Sequence, residues 1–265
     1  MKSAIVTGVA GGMGHAAARR LIEDGFAVFG LDIHRPEELP GMTFIKADLT
    51  DAASVEEARR QVAASTEQID CIVNLAGMYD LGSLVEMDEA EFLRIFDVNL
   101  FAVYRVNKAF LPLLGKGGRV LITSSELAPL DPLPFTGIYG VTKAAVEKYA
   151  YSLRMELQLL GCRVIVLRPG AVDTGLLDVS TKRLGDFCAG TTRYACNAQR
   201  FRRIVDRVEA RKVPPEKVAA LISRALGARR PRYVYKINRN PLLLLLSALP
   251  DHWQCGVIKK LLTAR

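Results

Sequence analysis

Short apolar runs and longer amphipathic stretches alternate along this chain with little interruption. "SAIVT" (3–7) is apolar at successive positions, the pattern of a strand buried on both faces. A glycine-rich turn follows, then a helical pattern from about Gly12 to Asp24. "AVFGLD" (27–32) and "TFIKAD" (43–48) predict a second and a third strand, and a helix over 51–65 leads to a fourth in "DCIVNLAG" (70–77). A long helix through 88–113 precedes the strand "GRVLITSS" (118–125), and a helix over 139–160 precedes "CRVIVLRPG" (162–170). Strand–helix alternation of this kind predicts an α/β fold. It is a doubly wound parallel sheet with both faces covered, in a single domain over 1–265. Beyond Gly170 the pattern loosens. Residues 175–212 are polar, basic and poorly periodic and read as a substrate-loop region. Residues 215–227 read as a helix, "RYVYK" as a last strand, and 229–265 as a C-terminal extension.

Composition narrows the class. The 265 residues are 50% hydrophobic, enough to bury a sizeable core. No window reaches the roughly 18 apolar residues of a membrane span. The opening "MKSAIVTG" fails as a signal peptide, since glycines and then His15, Arg19 and Arg20 follow. Cys71, Cys162, Cys188, Cys196 and Cys255 are odd in number and form no C-x-x-C pair, so a reduced, cytoplasmic protein is expected. No two histidines share metal-ligand spacing, and no metal is expected. The net charge of +8 comes without a low-complexity basic arm, so nucleic acid is not expected as a partner.

"TGVAGGMG" (7–14) stands where the first strand gives way to the first helix. Glycines there let the backbone approach a pyrophosphate, whose charge meets the helix N-terminus. Taken alone, the cluster is only a tight strand–helix turn. Asp32 adds to it: it ends the second strand, 18 positions after Gly14, near the spacing of a ribose-binding acid. A carboxylate there accepts from both ribose hydroxyls and repels a 2′-phosphate, which puts NAD ahead of NADP although Arg35 is near.

With these motifs in place the chain resembles a short-chain dehydrogenase/reductase along nearly its whole length. Thr7, Gly8, Gly12 and Gly14 fit that family's T-G-x-x-x-G-x-G turn, with Met13 inside it. "NLAG" (Asn74, Ala76, Gly77) stands where the family has N-N-A-G, Leu75 replacing the second asparagine. "PGAVDT" matches its cofactor segment P-G-x-x-x-T through Pro169, Gly170, Val172 and Thr174. Asp48, with Leu49 beside it, matches the acid that meets the adenine. Gly8, Gly11 and Gly14 also satisfy the T-G-x-x-G-x-x-G of the epimerase-like branch, but the short chain and "NLAG" point away from it. The resemblance implies a Rossmann-type fold, with Asn99, Ser125, Tyr139 and Lys143 at the catalytic positions.

The chemistry is consistent with that. In "YGVTK" the Tyr139 phenol and the Lys143 ammonium lie four residues apart, hence on one helix face. A free tyrosine, with a pKa of about 10, is a poor base near neutrality, and a neighbouring cation favours the phenolate. Lys143 is therefore expected to lower the Tyr139 pKa. The resemblance further implies that Lys143 bonds the nicotinamide ribose and that Asn99 holds a proton-relaying water. Ser125 holds the substrate oxygen. It precedes Tyr139 by 14 residues, one more than is common in the family, in a linker with three prolines. Ser124 is expected to point away. Glu126 reads equally as the substrate mouth or as a turn cap.

The expected activity is hydride transfer between NAD(H) and a secondary alcohol or ketone, on a lipophilic, hydroxysteroid-like substrate. "SSELAPLDPLPF" and the leucine-rich tail resemble the hydroxysteroid and retinol dehydrogenase side of the family. The alternatives are a polyol or sugar dehydrogenase and a 3-oxoacyl ketoreductase. Of a different class are a non-catalytic NAD-binding protein and a lipid-surface protein. "RNPLLLLLSALP" (239–250) follows the acid-free basic stretch 229–239. It reads as core or interface helix, as the rim of an apolar pocket, or as a peripheral membrane contact through 229–249. The family resemblance implies a homodimer or homotetramer packed through 88–113 and 139–160, with Phe92, Phe96 and Leu153 as contacts.

Overall fold

The computed structural model describes residues 1–209 and 211–263. Seven strands, β1 (Lys2–Thr7), β2 (Phe26–Asp32), β3 (Met42–Lys46), β4 (Ile69–Asn74), β5 (Leu114–Thr123), β6 (Arg163–Pro169) and β7 (Val234–Ile237), form one sheet. Their order is β3-β2-β1-β4-β5-β6-β7 and every pairing is parallel. This is the doubly wound topology in a single Rossmann-type domain.

Both faces of the sheet are covered, which explains the unbroken apolar runs. In β1, Ile5 packs with Val106, Phe110 and Val146 on one face, while Ala4 and Val6 pack with Leu21, Val218 and Ile222 on the other. The first face is roofed by α2 (Ala52–Ala63), α4 (Ala102–Phe110) and α5 (Gly137–Leu157), the second by α1 (Gly12–Glu23) and α8 (Pro215–Gly227).

Three expectations change. The helix expected over 88–113 is α3 (Glu89–Phe96), a π-helical turn at Asp97–Phe101, α4, and a short 3₁₀ turn at Leu111–Leu113. Residues 175–212 are not a loose loop but largely two helices, α6 (Gly175–Gly190) and α7 (Ala195–Glu209). Their apolar stripe is narrow: Leu184 and Cys188, then Ala198, Phe201 and Val205, at spacings of three and four among basic residues. It makes a third core with Leu81, Phe135 and Leu262. The tail is α9 (Pro241–Ser247) and α10 (Asp251–Thr263). No α9 residue is buried, so the leucine run is not core. Among the described residues no helix is long and apolar enough to cross a membrane. On α5, Leu153 faces the core and offers nothing to a partner, while Val141, Tyr151 and Met155 are exposed.

Candidate active site

The order of strands reverses between β1 and β4, so the loops at their carboxyl ends diverge and leave a crevice. Two observations shape it there. Gly8 takes φ +75°, and its N–H donates to the Leu31 carbonyl at 2.9 Å. A Cβ on Gly14 would lie 2.0 Å from the Gly8 carbonyl oxygen, and one on Gly12 would lie 2.9 Å from Thr174 Cγ2. Only glycine permits this cradle. Gly11, the N-cap of α1, supplies no side-chain cap, so the first N–H groups of the helix face the crevice free of a protein side-chain acceptor. Thr7 ties the two diverging loops together, its Oγ1 accepting from Leu75 N and Ala76 N, each at 3.1 Å.

Asp32 stands at the outer end of the crevice. Its Oδ2 accepts from Ala10 N and its Oδ1 from His34 N, both at 3.0 Å, which fixes the carboxylate at the crevice edge. Arg35 lies over the Phe44 ring, 5.5 Å from its centre. Asp48 is exposed, and Thr50, donating from its hydroxyl and its N–H, holds its pKa below the usual carboxylate range. Leu49 is buried beneath it. Asn74 departs from expectation. Its side chain is buried and donates to Asn107 Oδ1 at 3.0 Å and to the Leu121 carbonyl at 3.3 Å, so it braces the sheet rather than reaching the crevice. Ala76 and Gly77, half-buried, line that edge instead.

Further along the edge the polar groups converge. The Ser125 hydroxyl and the Tyr139 phenol line one cavity, and the Ser125 hydroxyl acts to lower the Tyr139 pKa. Lys143, buried, donates from Nζ to the Thr123 carbonyl at 3.2 Å and lies 5.7 Å from the Tyr139 ring centre. A Cβ on Gly77 would lie 3.3 Å from Asn99 Oδ1 and 3.4 Å from Lys143 Nζ, so these three meet at one point. Asn99, in the π-helical turn, accepts from Met78 N at 2.7 Å and donates to the Met78 carbonyl and to Thr142 Oγ1, each at 3.0 Å. Its amide is thus committed to holding neighbouring segments.

The electrostatics run against the sequence expectation. Burial pushes the Tyr139 phenol up to about 12, and the Glu126 charge adds to the rise, while the Ser125 hydroxyl opposes it. Burial brings the Lys143 ammonium down to about 8. Loss of solvent outweighs the Ser125 contribution, and the phenol is protonated at neutral pH.

A cavity of about 140 Å³ opens onto this cluster. Ser125, Glu126 and Tyr139 are at one side, and Met13, Leu127, Leu133, Phe201, Val205 and Leu243 supply apolar wall. Pro169, Gly170, Val172 and Thr174 line it as well, beside the glycine cradle.

Sequence reasoning missed several residues that build this cavity. Glu147 continues the Tyr139–Lys143 face by one more turn; it pairs with Arg168 on β6 and accepts from Ser124 Oγ at 2.7 Å, which turns Ser124 away from the cavity. A Y-x-x-x-K-x-x-x-E spacing was the available signal. Asp80, buried, pairs with Arg183 of α6 and lies 3.6 Å from Arg94 of α3. Thr191 donates to Glu86 at 2.7 Å. Phe135 holds φ +65° and stacks against Phe187, Tyr194 and Phe201. No local signal marks these long-range ties. Among the described residues no group of three His, Cys, Asp or Glu gathers to hold a metal.

Comparisons with known proteins agree with this architecture. A family model described as short chain dehydrogenase matches residues 2–184. The chain is 28% identical over 250 residues to the 3-ketodihydrosphingosine reductase of Bacteroides thetaiotaomicron, covering 94% of this chain and 91% of that protein. It is 33% identical over 192 residues to estradiol 17-beta-dehydrogenase 2 of Mus musculus, covering 66% of this chain but only 49% of the mouse protein. The ligand-free aldohexose dehydrogenase of Thermoplasma acidophilum superimposes with a TM-score of 0.75 at 24% identity, covering 94% of this chain and 97% of that one, a likeness of fold. Because the family match runs from the first strand into α6, across every strand end that shapes the crevice, the chain belongs to the short-chain dehydrogenase/reductase family, oxidoreductases that act on alcohol or carbonyl groups with a nicotinamide cofactor.

Proposed function

We propose that this enzyme moves a hydride between NAD(H) and a lipophilic secondary alcohol or ketone. The observation that carries the reading is the cavity, where one polar cluster of Ser125, Glu126 and Tyr139 faces mostly apolar wall. The relatives named for a ketosphingosine and for estradiol, both lipids, support it. A sugar alcohol would leave its hydroxyls unpaired against Leu127, Leu133 and Leu243.

The glycine cradle, the open N-terminus of α1 and the Asp32 carboxylate fit a dinucleotide, and when bound the nicotinamide supplies the hydride donor or acceptor. In our reading Gly8, Gly12, Met13 and Gly14 hold the pyrophosphate side, and Asp32 accepts from ribose hydroxyls, which favours NAD over NADP. Asp48 and Leu49 border the adenine, and Ala76, Gly77, Pro169, Gly170, Val172 and Thr174 flank the nicotinamide side.

Ser125 and Tyr139 hold the substrate oxygen between them. A phenol with its pKa near 12 is a proton donor at neutral pH, so Tyr139 protonates the carbonyl oxygen as the ketone is reduced. Lys143 binds ribose and assists proton return, and Asn99 positions the Met78 segment against Thr142 on the Tyr139 helix. The test is a spectrophotometric screen of the purified protein with NAD(H) and NADP(H) against steroids, retinoids, long-chain ketones, polyols and hydroxyacyl thioesters. Higher kcat/KM on any polyol than on every lipid overturns the lipophilic reading.

Two features extend the proposal. Exposed Leu242, Leu245, Trp253 and Val257 on α9 and α10, near Lys259 and Lys260, support contact with an anionic lipid surface, checked by vesicle sedimentation. Exposed Phe92, Phe101, Tyr104 and Tyr151 on α3–α5 support a homodimer or homotetramer, checked by light scattering.

A further inference from the structure

Glu126 is the residue whose position the chemistry above does not use. It is 7% exposed, follows Ser125 directly, and lines the cavity. Its Oε2 accepts from the Asn240 N–H at 2.7 Å, fixing the start of α9. Its Oε1 lies 2.9 Å from where a Gly170 Cβ would be, against the backbone of the β6 end.

Compared with the other acids beside the site, buried Asp80 and half-buried Glu147, this carboxylate stands apart. Asp80 pairs with Arg183, and Glu147 with Arg168. Among the described residues no lysine, arginine or histidine nitrogen lies within ion-pair distance of Glu126; Arg239, next to Asn240, acts on it only at longer range. Burial accordingly pushes its pKa up. Keeping an acid without a counter-ion in an apolar cavity is costly, and the cost is relieved when a cation enters with the ligand.

Building on the lipophilic-substrate reading, we propose that Glu126 is a cation subsite and that the preferred substrate carries an ammonium close to the reacting carbon: an amphiphilic amino ketone or amino alcohol. The placement follows from the cavity: Ser125, Glu126 and Tyr139 line the same space of about 140 Å³, so a substrate oxygen held by Ser125 and Tyr139 shares that space with the Glu126 side chain. Leu127, Leu133, Phe201, Val205 and Leu243 then receive the alkyl chain. An ammonium there also offsets the Glu126 charge, which otherwise opposes phenolate formation at Tyr139.

The alternative is that Glu126 only anchors Asn240. Glu126→Gln separates the two, because its side-chain carbonyl still accepts from Asn240 N–H while the charge is gone. The probes are 2-aminodecan-3-ol and decan-3-ol, oxidised with NAD by wild type and variant. The wild type should favour the amino alcohol by at least about tenfold in kcat/KM, and E126Q should lower that ratio by at least about tenfold, the scale of one charge-assisted hydrogen bond. A wild type that favours decan-3-ol, or an E126Q variant with the ratio unchanged, overturns the proposal. If neither alcohol is oxidised the lipophilic-substrate reading fails by itself. Calorimetry of decylamine against decan-1-ol on the NADH-loaded proteins then decides the subsite, since only a cation site gives an amine preference that E126Q removes. Equal binding of amine and alcohol by the wild type would overturn it on that arm too.

Discussion

The floor and the roof of the cavity are held by different means. The floor is made by strand ends: the Gly8–Gly14 turn, the Ser125 segment and the α5 face, fixed by backbone bonds, by contacts that admit no Cβ, and by a half-buried Glu147–Arg168 pair. The roof is α7 and α9, with α6 packed on α7, and among the described residues its polar ties to the rest include Arg183 to Asp80, Thr191 and Arg193 to Glu86, and Asn240 to Glu126. A floor of this kind tolerates almost no change and, in the function proposed above, carries the chemistry. The roof, held by long-range side-chain ties and an apolar stripe, is the region that can vary while the floor stays the same.

Changes to the floor should therefore cost most. Tyr139→Phe keeps the ring contact with Tyr79 but removes the proton donor. Turnover should fall by at least about 10³-fold, with NADH binding measured by fluorescence little changed. Near-parental turnover would remove Tyr139 from the chemistry. Gly14→Ala comes next: its methyl would lie 2.0 Å from the Gly8 carbonyl oxygen, so the turn must open. Cofactor affinity should weaken by about 100-fold or more, as read by calorimetry, with a loss of about 2–3 kcal/mol in stability. Asp32→Ala, with Arg35 left in place, should narrow the preference for NAD over NADP by about tenfold. An unchanged cofactor ratio in steady-state kinetics would dismiss that role.

On the roof, Arg183→Met should act differently. Removing it leaves the buried Asp80 with the Leu81 N–H at 3.0 Å and the 3.6 Å contact to Arg94, and loosens α6. KM should rise several-fold while kcat changes less than threefold, since the floor is untouched. A fall in kcat as large as that of the floor variants would erase the distinction between the two regions.

The smallest effect sharpens the comparison through pH. The Lys143 pKa lies near 8 in the folded protein against 10.5 unfolded, so between those values the unfolded state binds more protons and wild-type stability rises with pH. The burial cost is fully present below pH 8. Lys143→Met should therefore lose activity yet gain about 1–2 kcal/mol below pH 8, after allowing for the lost bond to Thr123, and that gain should fade towards pH 10.5. Thermal melts at pH 7 and pH 10 check the sign.

The sequence by itself determined the succession of strands along the chain and the helices between them up to Gly170 in outline, the glycine turn, Asp32 at the end of β2, and Tyr139 and Lys143 on one helical face. Each is a local property, set by periodicity, by backbone conformations that only glycine adopts, or by a spacing of one helical turn. The tertiary structure decided the rest. It made 175–212 a helical roof whose narrow stripe was masked by arginines, and it turned Asn74 inward. It raised rather than lowered the Tyr139 pKa, left Glu126 with no ion pair among the described residues, and brought Arg183 to Asp80. Solvent exclusion and charge pairing depend on segments a hundred residues apart, and no local pattern encodes which of them will meet.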